Sequence, residues 1–118
     1  MIVIKNEDIV AFDVDDTLIL WFSNCDPSEK IDIISPGSGI KKMALKPHKR
    51  HIDLLKEYKG RGMTVIVWSA GGYGWAQAVV EALGLEEFVD YVMTKPCKLI
   101  DDLPPELIFT NRIYLEDK

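Results

Sequence analysis

Ile9-Val10-Ala11-Phe12-Asp13-Val14-Asp15-Asp16-Thr17-Leu18 is the stretch on which the fold turns. A short apolar run bounded by polar residues reads as a buried strand. Three carboxylates then crowd its C-terminal end. In an open α/β sheet, ligands bind in the crevice beyond the C-terminal ends of the strands. Like charges this close repel, so an opposing cation is expected, and oxygen-only ligation suits Mg²⁺. A carboxylate in that position can also act as a nucleophile and form an aspartyl-phosphate. The plainer alternative is a solvated acidic turn. An Asp-x-Asp-Asp-Thr run at a strand end argues against it.

Three further features follow in order. Met63-Thr64-Val65-Ile66-Val67-Trp68 is a second apolar strand, and Ser69 ends it. Ala70-Gly71-Gly72 opens a helix, where a hydroxyl and free backbone N–H groups can bind phosphoryl oxygens. Lys95-Pro96 comes next, and Leu99-Ile100 then leads into the acidic pair Asp101-Asp102.

Taken together, these residues resemble the four motifs of the haloacid dehalogenase (HAD) superfamily, which is mostly phosphohydrolases. The resemblance runs from Ile9 to Asp102. It implies a Rossmann-like α/β fold and a Mg²⁺-dependent phosphomonoester hydrolase working through an aspartyl-phosphate. Asp13 would be the nucleophile and Asp15 the general acid and base. Ser69 and Lys95 would stabilise the transferring phosphoryl oxygens, with Thr17, Ala70 and Gly71 binding substrate. Mg²⁺ would be held by the Asp13 carboxylate, the Asp15 backbone carbonyl and Asp101, with Asp102 on a metal water. Lys98 competes with Lys95 for the lysine role. Lys95 is favoured because it precedes a proline in a loop and can reach back over the site. Two rivals are a HAD-like binding module without catalysis and a receiver-like phosphoacceptor domain. The second is disfavoured because Ser69, not an acid, stands where the receiver aspartate would.

The chain has 118 residues, 47% of them hydrophobic and 28% charged, which fits one globular domain over residues 1–118. No apolar run approaches the roughly 20 residues of a membrane span, and no signal peptide is evident. Cys25 and Cys97 form no ligand pattern or disulfide framework, so a reducing cytoplasm is expected. Cys97 is expected to be a small buried or half-buried side chain, and His48 and His51 to be solvated helix positions.

Alternating elements predict a mainly parallel sheet flanked by helices. Strands are expected at 9–14, 63–68, 89–93 and 99–100, with edge strands at 1–5 and 113–115 and a turn at 6–8. A hairpin over 31–35 and 40–45 brackets Pro36-Gly37-Ser38-Gly39. Pro47 is expected in the first turn of a helix with Ile52, Leu54, Leu55 and Tyr58 on its apolar stripe, ended by Gly60 and Gly62. A second helix covers 75–83, capped by Gly84. The spacing leaves no room for a cap domain, only a flap over about 22–46 with Trp21 and Phe22 leading in. Such an open site either admits bulky substrates or is completed by a second copy of the chain.

Residues 41–61 carry eight basic and two acidic side chains, a charge of +6, which leaves −11 elsewhere in a chain of net charge −5. Such a stripe can guide a nucleotide or polynucleotide, with Lys41, Lys42 and Lys46 nearest the flap. The plainer alternative is a solvated helix face.

Overall fold

The computed structural model describes residues 3–22, 24–36 and 41–117. A run of β-branched residues sets the central strand. In β5 (Thr64–Ser69), Val65, Val67 and Ser69 are buried on one face. Two parallel neighbours flank it: β1 (Ile9–Asp13) pairs Asp13 with Trp68, and β6 (Tyr91–Thr94) pairs Thr94 with Ser69. The order β1-β5-β6 therefore brings the three C-terminal ends to one edge of the sheet. Parallel neighbours need crossovers, and α1 (Lys49–Gly60) and α2 (Tyr73–Ala82) serve in them. The result is a small α/β architecture, a three-stranded parallel sheet flanked by helices, compatible with a Rossmann-like class.

Between β1 and α1 lies a second, antiparallel sheet. It contains β2 (Ile19–Leu20), β3 (Ile31–Ser35) and β4 (Lys41–Pro47) in the order β2-β4-β3. The hairpin expected over 31–45 is thus present as β3 and β4, with Ile31 opposite Leu45. Its Gly37-Ser38-Gly39 turn lies outside the described residues. Ile33 and Leu45 join Leu18, Ile19, Leu55, Val65 and Val67 in one core cluster, so the flap is packed onto the parallel sheet. Burying each such aliphatic side chain contributes about 1.5–3 kcal/mol.

Several expectations are corrected. The edge strand at 1–5 is not formed over residues 3–5, the rest lying outside the described residues, and 6–8 is a 3₁₀ turn. Pro47 ends β4 opposite Ile19 instead of starting the helix, and His48 is the N-cap. No strand forms at 99–100: Ile100 is fully exposed, and Asp101 accepts a hydrogen bond from the Leu103 amide at 3.0 Å. Two apolar residues offer few ladder bonds, and this local side-chain turn competes with them. The same N–H, with smaller help from Asp102, holds the Asp101 carboxyl below the usual range. Cys97 is exposed, not buried. A four-residue helix, α3 (Pro105–Ile108), follows.

The largest correction concerns the histidines. His48 and His51 are buried, not solvated, with ring centroids 3.8 Å apart and planes 9° from parallel. His51 Nδ1 donates to the Thr17 carbonyl at 2.7 Å, and Nε2 accepts from the Leu115 amide at 2.8 Å. His48 Nε2 donates to the Leu115 carbonyl at 2.9 Å, and Nδ1 accepts from the His51 amide at 3.2 Å. Each ring therefore carries one proton on a nitrogen fixed by its partner. Residue 115 has its amide and carbonyl clasped by side chains, which replaces the strand expected at 113–115. Tyr114 packs edge-on against both rings and donates its hydroxyl to the Asp16 carbonyl at 2.9 Å. Lys46 pairs with Asp117, and Arg50 donates to the Glu116 carbonyl. Burial lowers the pKa of His51, and the Thr17 carbonyl only partly opposes it.

Candidate functional site

Strand ends and two turns assemble the candidate side chains. Asp13 is the last residue of β1. Beyond it the chain coils tightly, with the Thr17, Leu18 and Ile19 amides all donating to the Val14 carbonyl. Asp16 takes φ 58° in that coil, a conformation an Asp tolerates through local hydrogen bonding. Its carboxylate accepts from the Trp21 amide at 3.1 Å. The coil turns Thr17 back, and its hydroxyl donates to Asp13 Oδ2 at 3.3 Å. His51 and Tyr114 brace the coil from behind, at the Thr17 and Asp16 carbonyls.

Ser69 ends β5 and is fully buried. Its carbonyl accepts from Gly72 and Lys95 amides at 3.1 and 2.9 Å, and its hydroxyl accepts from the Gly71 amide at 3.0 Å. Gly72 sits at φ 107°, which only glycine adopts without strain, as α2 begins. Ala70 and Gly71 are exposed in this turn. The Lys95 amide bond holds the chain leaving β6 against the end of β5. Lys95 Nζ lies 3.9 Å from Asp13 Oδ1, with the two side chains 44% and 36% exposed. Of the two candidate lysines, Lys95 is the one paired with Asp13.

Asp15 is the most firmly held acid here. Trp21 and Trp75 both donate indole N–H groups to its Oδ1, at 2.7 and 3.0 Å, and the Ser69 hydroxyl reaches Oδ2 at 3.4 Å. Neither tryptophan was singled out for the site by sequence reasoning. The sequence places Trp21 at the entry to the flap and Trp75 at the start of a helix, with no sign that either meets Asp15.

The structure thus brings Asp13, Asp15, Thr17, Ser69 and Lys95 together and leaves Asp101 and Asp102 out. Among the described residues, no three His, Cys, Asp or Glu side chains converge closely enough to share one ion. The oxygen donors suit Mg²⁺ in kind, and one or two carboxylates are what it usually takes from a protein, with waters and substrate phosphate supplying the rest. Asp13 faces a lysine, and Asp15 is occupied by N–H and O–H donors.

The site is open. Two clefts among the described residues lie elsewhere: one of about 290 Å³ between α2 and β6, another of about 320 Å³ beside the start of α1. Neither is lined by Asp13, Asp15, Ser69 or Lys95. Several cations of the basic stripe are paired. Lys42 pairs with Asp32, Lys46 with Asp117, Lys49 with Asp53, Lys59 with Asp90 and Arg61 with Glu57. Among the described residues, no helix is long and apolar enough to cross a membrane. Comparison with family models, curated proteins and solved structures finds no match to this chain.

Proposed function

We propose that this chain is a phosphomonoester hydrolase of the haloacid dehalogenase type. The observation that carries the reading is the gathering of Asp13, Ser69 and Lys95 at the C-terminal ends of three adjacent parallel strands, with Lys95 3.9 Å from Asp13. An anionic nucleophile beside a cation, at the edge where α/β sheets bind ligands, suits attack on a phosphoryl group.

In this reading an Asp13 oxygen attacks phosphorus, and the bond from phosphorus to the leaving oxygen breaks. Asp15, entering protonated, gives its proton to that oxygen, and an alcohol departs. Water then loses a proton to Asp15 and attacks the aspartyl-phosphate, which frees Asp13 and inorganic phosphate. The Lys95 ammonium offsets charge on the phosphoryl oxygens. Thr17 fixes the Asp13 carboxylate through Oδ2. Mg²⁺, when bound, would be held by the Asp13 carboxylate and the Asp15 carbonyl and would offset charge between nucleophile and phosphoryl group. Mg²⁺ enters as an arm of the test.

The test is phosphate release from a panel of phosphomonoesters, with Mg²⁺ and with EDTA, by wild type and Asp13→Asn. Release that falls at least about a hundredfold in Asp13→Asn supports the reading. Full activity in that variant refutes covalent catalysis by Asp13. Release that requires Mg²⁺ and is lost in Asp101→Ala would bring the 99–102 segment onto the site. One observation favours a second reading, a binding module without turnover: both Asp15 oxygens are engaged. Saturable binding of phosphorylated ligands with no phosphate release identifies that case.

A further inference from the structure

Two indoles from distant parts of the chain converge on one carboxylate oxygen. Trp21 follows β2 in the flap, 6 residues from Asp15, and Trp75 lies in the first turns of α2, 60 residues away. An indole has a single donor and no acceptor. Both commit that donor to Asp15 Oδ1. Their rings lie 6.0 Å apart, tilted by 36°. Each ring is anchored in its own way. The Trp21 amide is tied to Asp16 Oδ1. Trp75 lies against the turn at Gly71, where an added Cβ would stand 3.4 Å from its Cδ1 and 3.3 Å from the Ser69 hydroxyl. Oδ1 thus accepts two N–H donors, as many as it has lone pairs. Oδ2 has only the long 3.4 Å contact from Ser69. A carboxyl that carries a proton must do so on the oxygen whose lone pair is free.

We propose that Trp21 and Trp75 are positioning residues that pin Oδ1 of Asp15 and so make Oδ2 the oxygen that passes the proton to and from the substrate. This rests on the hydrolase reading above. In the first step, Oδ2–H gives its proton to the departing alkoxide while the phosphorus–oxygen bond breaks. In the second, the attacking water returns a proton to Oδ2. The indoles exchange no proton. They hold the plane of the carboxyl, and because Trp21 belongs to the flap, the antiparallel sheet is tied to the proton-carrying group.

The experiment uses leaving groups of different basicity. Trp21→Phe, Trp75→Phe and the double variant keep an aromatic ring and delete the N–H. Each is assayed on 2-phenylethyl phosphate, whose alkoxide must be protonated to leave, and on 4-nitrophenyl phosphate, whose anion leaves unaided. The quantity compared is kcat/KM, which reports the transfer to Asp13. The double variant should lose about 10–100-fold on the alkyl ester, within the range of a general acid's contribution, and less than threefold on the nitrophenyl ester. Equal losses on both esters overturn the proposal and leave the hydrolase reading standing. A wild type that hydrolyses neither ester, or an unimpaired Asp13→Asn, overturns both. If the double variant does not fold, the single variants carry the same comparison. The side-chain N–H signals of the three tryptophans give a readout without turnover. The signals that Trp21→Phe and Trp75→Phe delete should be the two that shift in Asp15→Asn. A shift confined to the Trp68 signal refutes the arrangement.

Discussion

Replacing His51 with Phe tests the clasp most directly. The ring can still stack on His48, but both of its hydrogen bonds are lost. The Thr17 carbonyl and the Leu115 amide are each left without the partner that satisfies them. A buried group so orphaned costs about 1–3 kcal/mol, so the variant should lose about 2–6 kcal/mol. At about 3–5 °C per kcal/mol for a chain of this size, the melting temperature should fall by roughly 6–30 °C. The pH dependence sharpens the test. His51 is held neutral by burial, with its His48 and Arg50 neighbours acting in the same direction and the Thr17 carbonyl and Asp117 against it. Its folded pKa is therefore below the ordinary 6.5. The unfolded chain takes up this proton first. Stability from this group is full above pH 6.5 and is lost as the pH falls from there toward the lowered folded pKa. The slope approaches about 1.4 kcal/mol per pH unit at most. Urea unfolding of both proteins at pH 8, 7, 6 and 5.5 measures it. The stability gap between wild type and His51→Phe should narrow on acidification. A gap under about 0.5 kcal/mol at pH 8, or one that stays constant to pH 5.5, would refute the clasp as drawn.

Lys42→Ser and Lys46→Ser should leave KM and its salt dependence unchanged in any phosphatase assay, because their charges already face Asp32 and Asp117. A rise in KM that disappears at high salt would restore a steering role. Gly72→Ala must adopt φ 107° and should cost about 1–3 kcal/mol in urea unfolding, with the turn after Ser69 the part disturbed. An unchanged unfolding midpoint would mean the turn relaxes freely. Asp13→Asn should abolish phosphate release while leaving the far-ultraviolet circular dichroism spectrum intact, since Asp13 is half-exposed and lies outside the core cluster.

The parallel sheet was legible because Ile9–Phe12 and Thr64–Trp68 are apolar runs of strand length, each ended by a polar residue. Order along the chain was enough to bring Asp13, Ser69 and Lys95 together, since parallel strands align their C-terminal ends. The Leu99-Ile100 pair misled for a physical reason. Two residues carry too little ladder energy to outweigh an Asp101 side chain that satisfies the Leu103 amide locally. The histidines were misread by polarity. Their spacing held the signal: His48, His51 and Leu55 follow at three- and four-residue intervals, so they lie on the stripe that faces inward. The hold of Trp21 and Trp75 on Asp15 left no local trace. It depends on a flap residue and a helix residue meeting across 54 positions of sequence, which no periodicity encodes.

The clasp also has a consequence for biosynthesis. The residue that His51 and His48 grip, Leu115, lies 64 residues beyond His51. At roughly 5–20 residues per second, a ribosome takes about 3–13 seconds to make that interval. Throughout it, the nascent chain holds β1, the acidic coil and α1 without the segment that covers both imidazoles. The Asp16 carbonyl likewise waits for the Tyr114 hydroxyl. The loop that presents Asp13 and Asp15 is therefore made well before the segment that braces it.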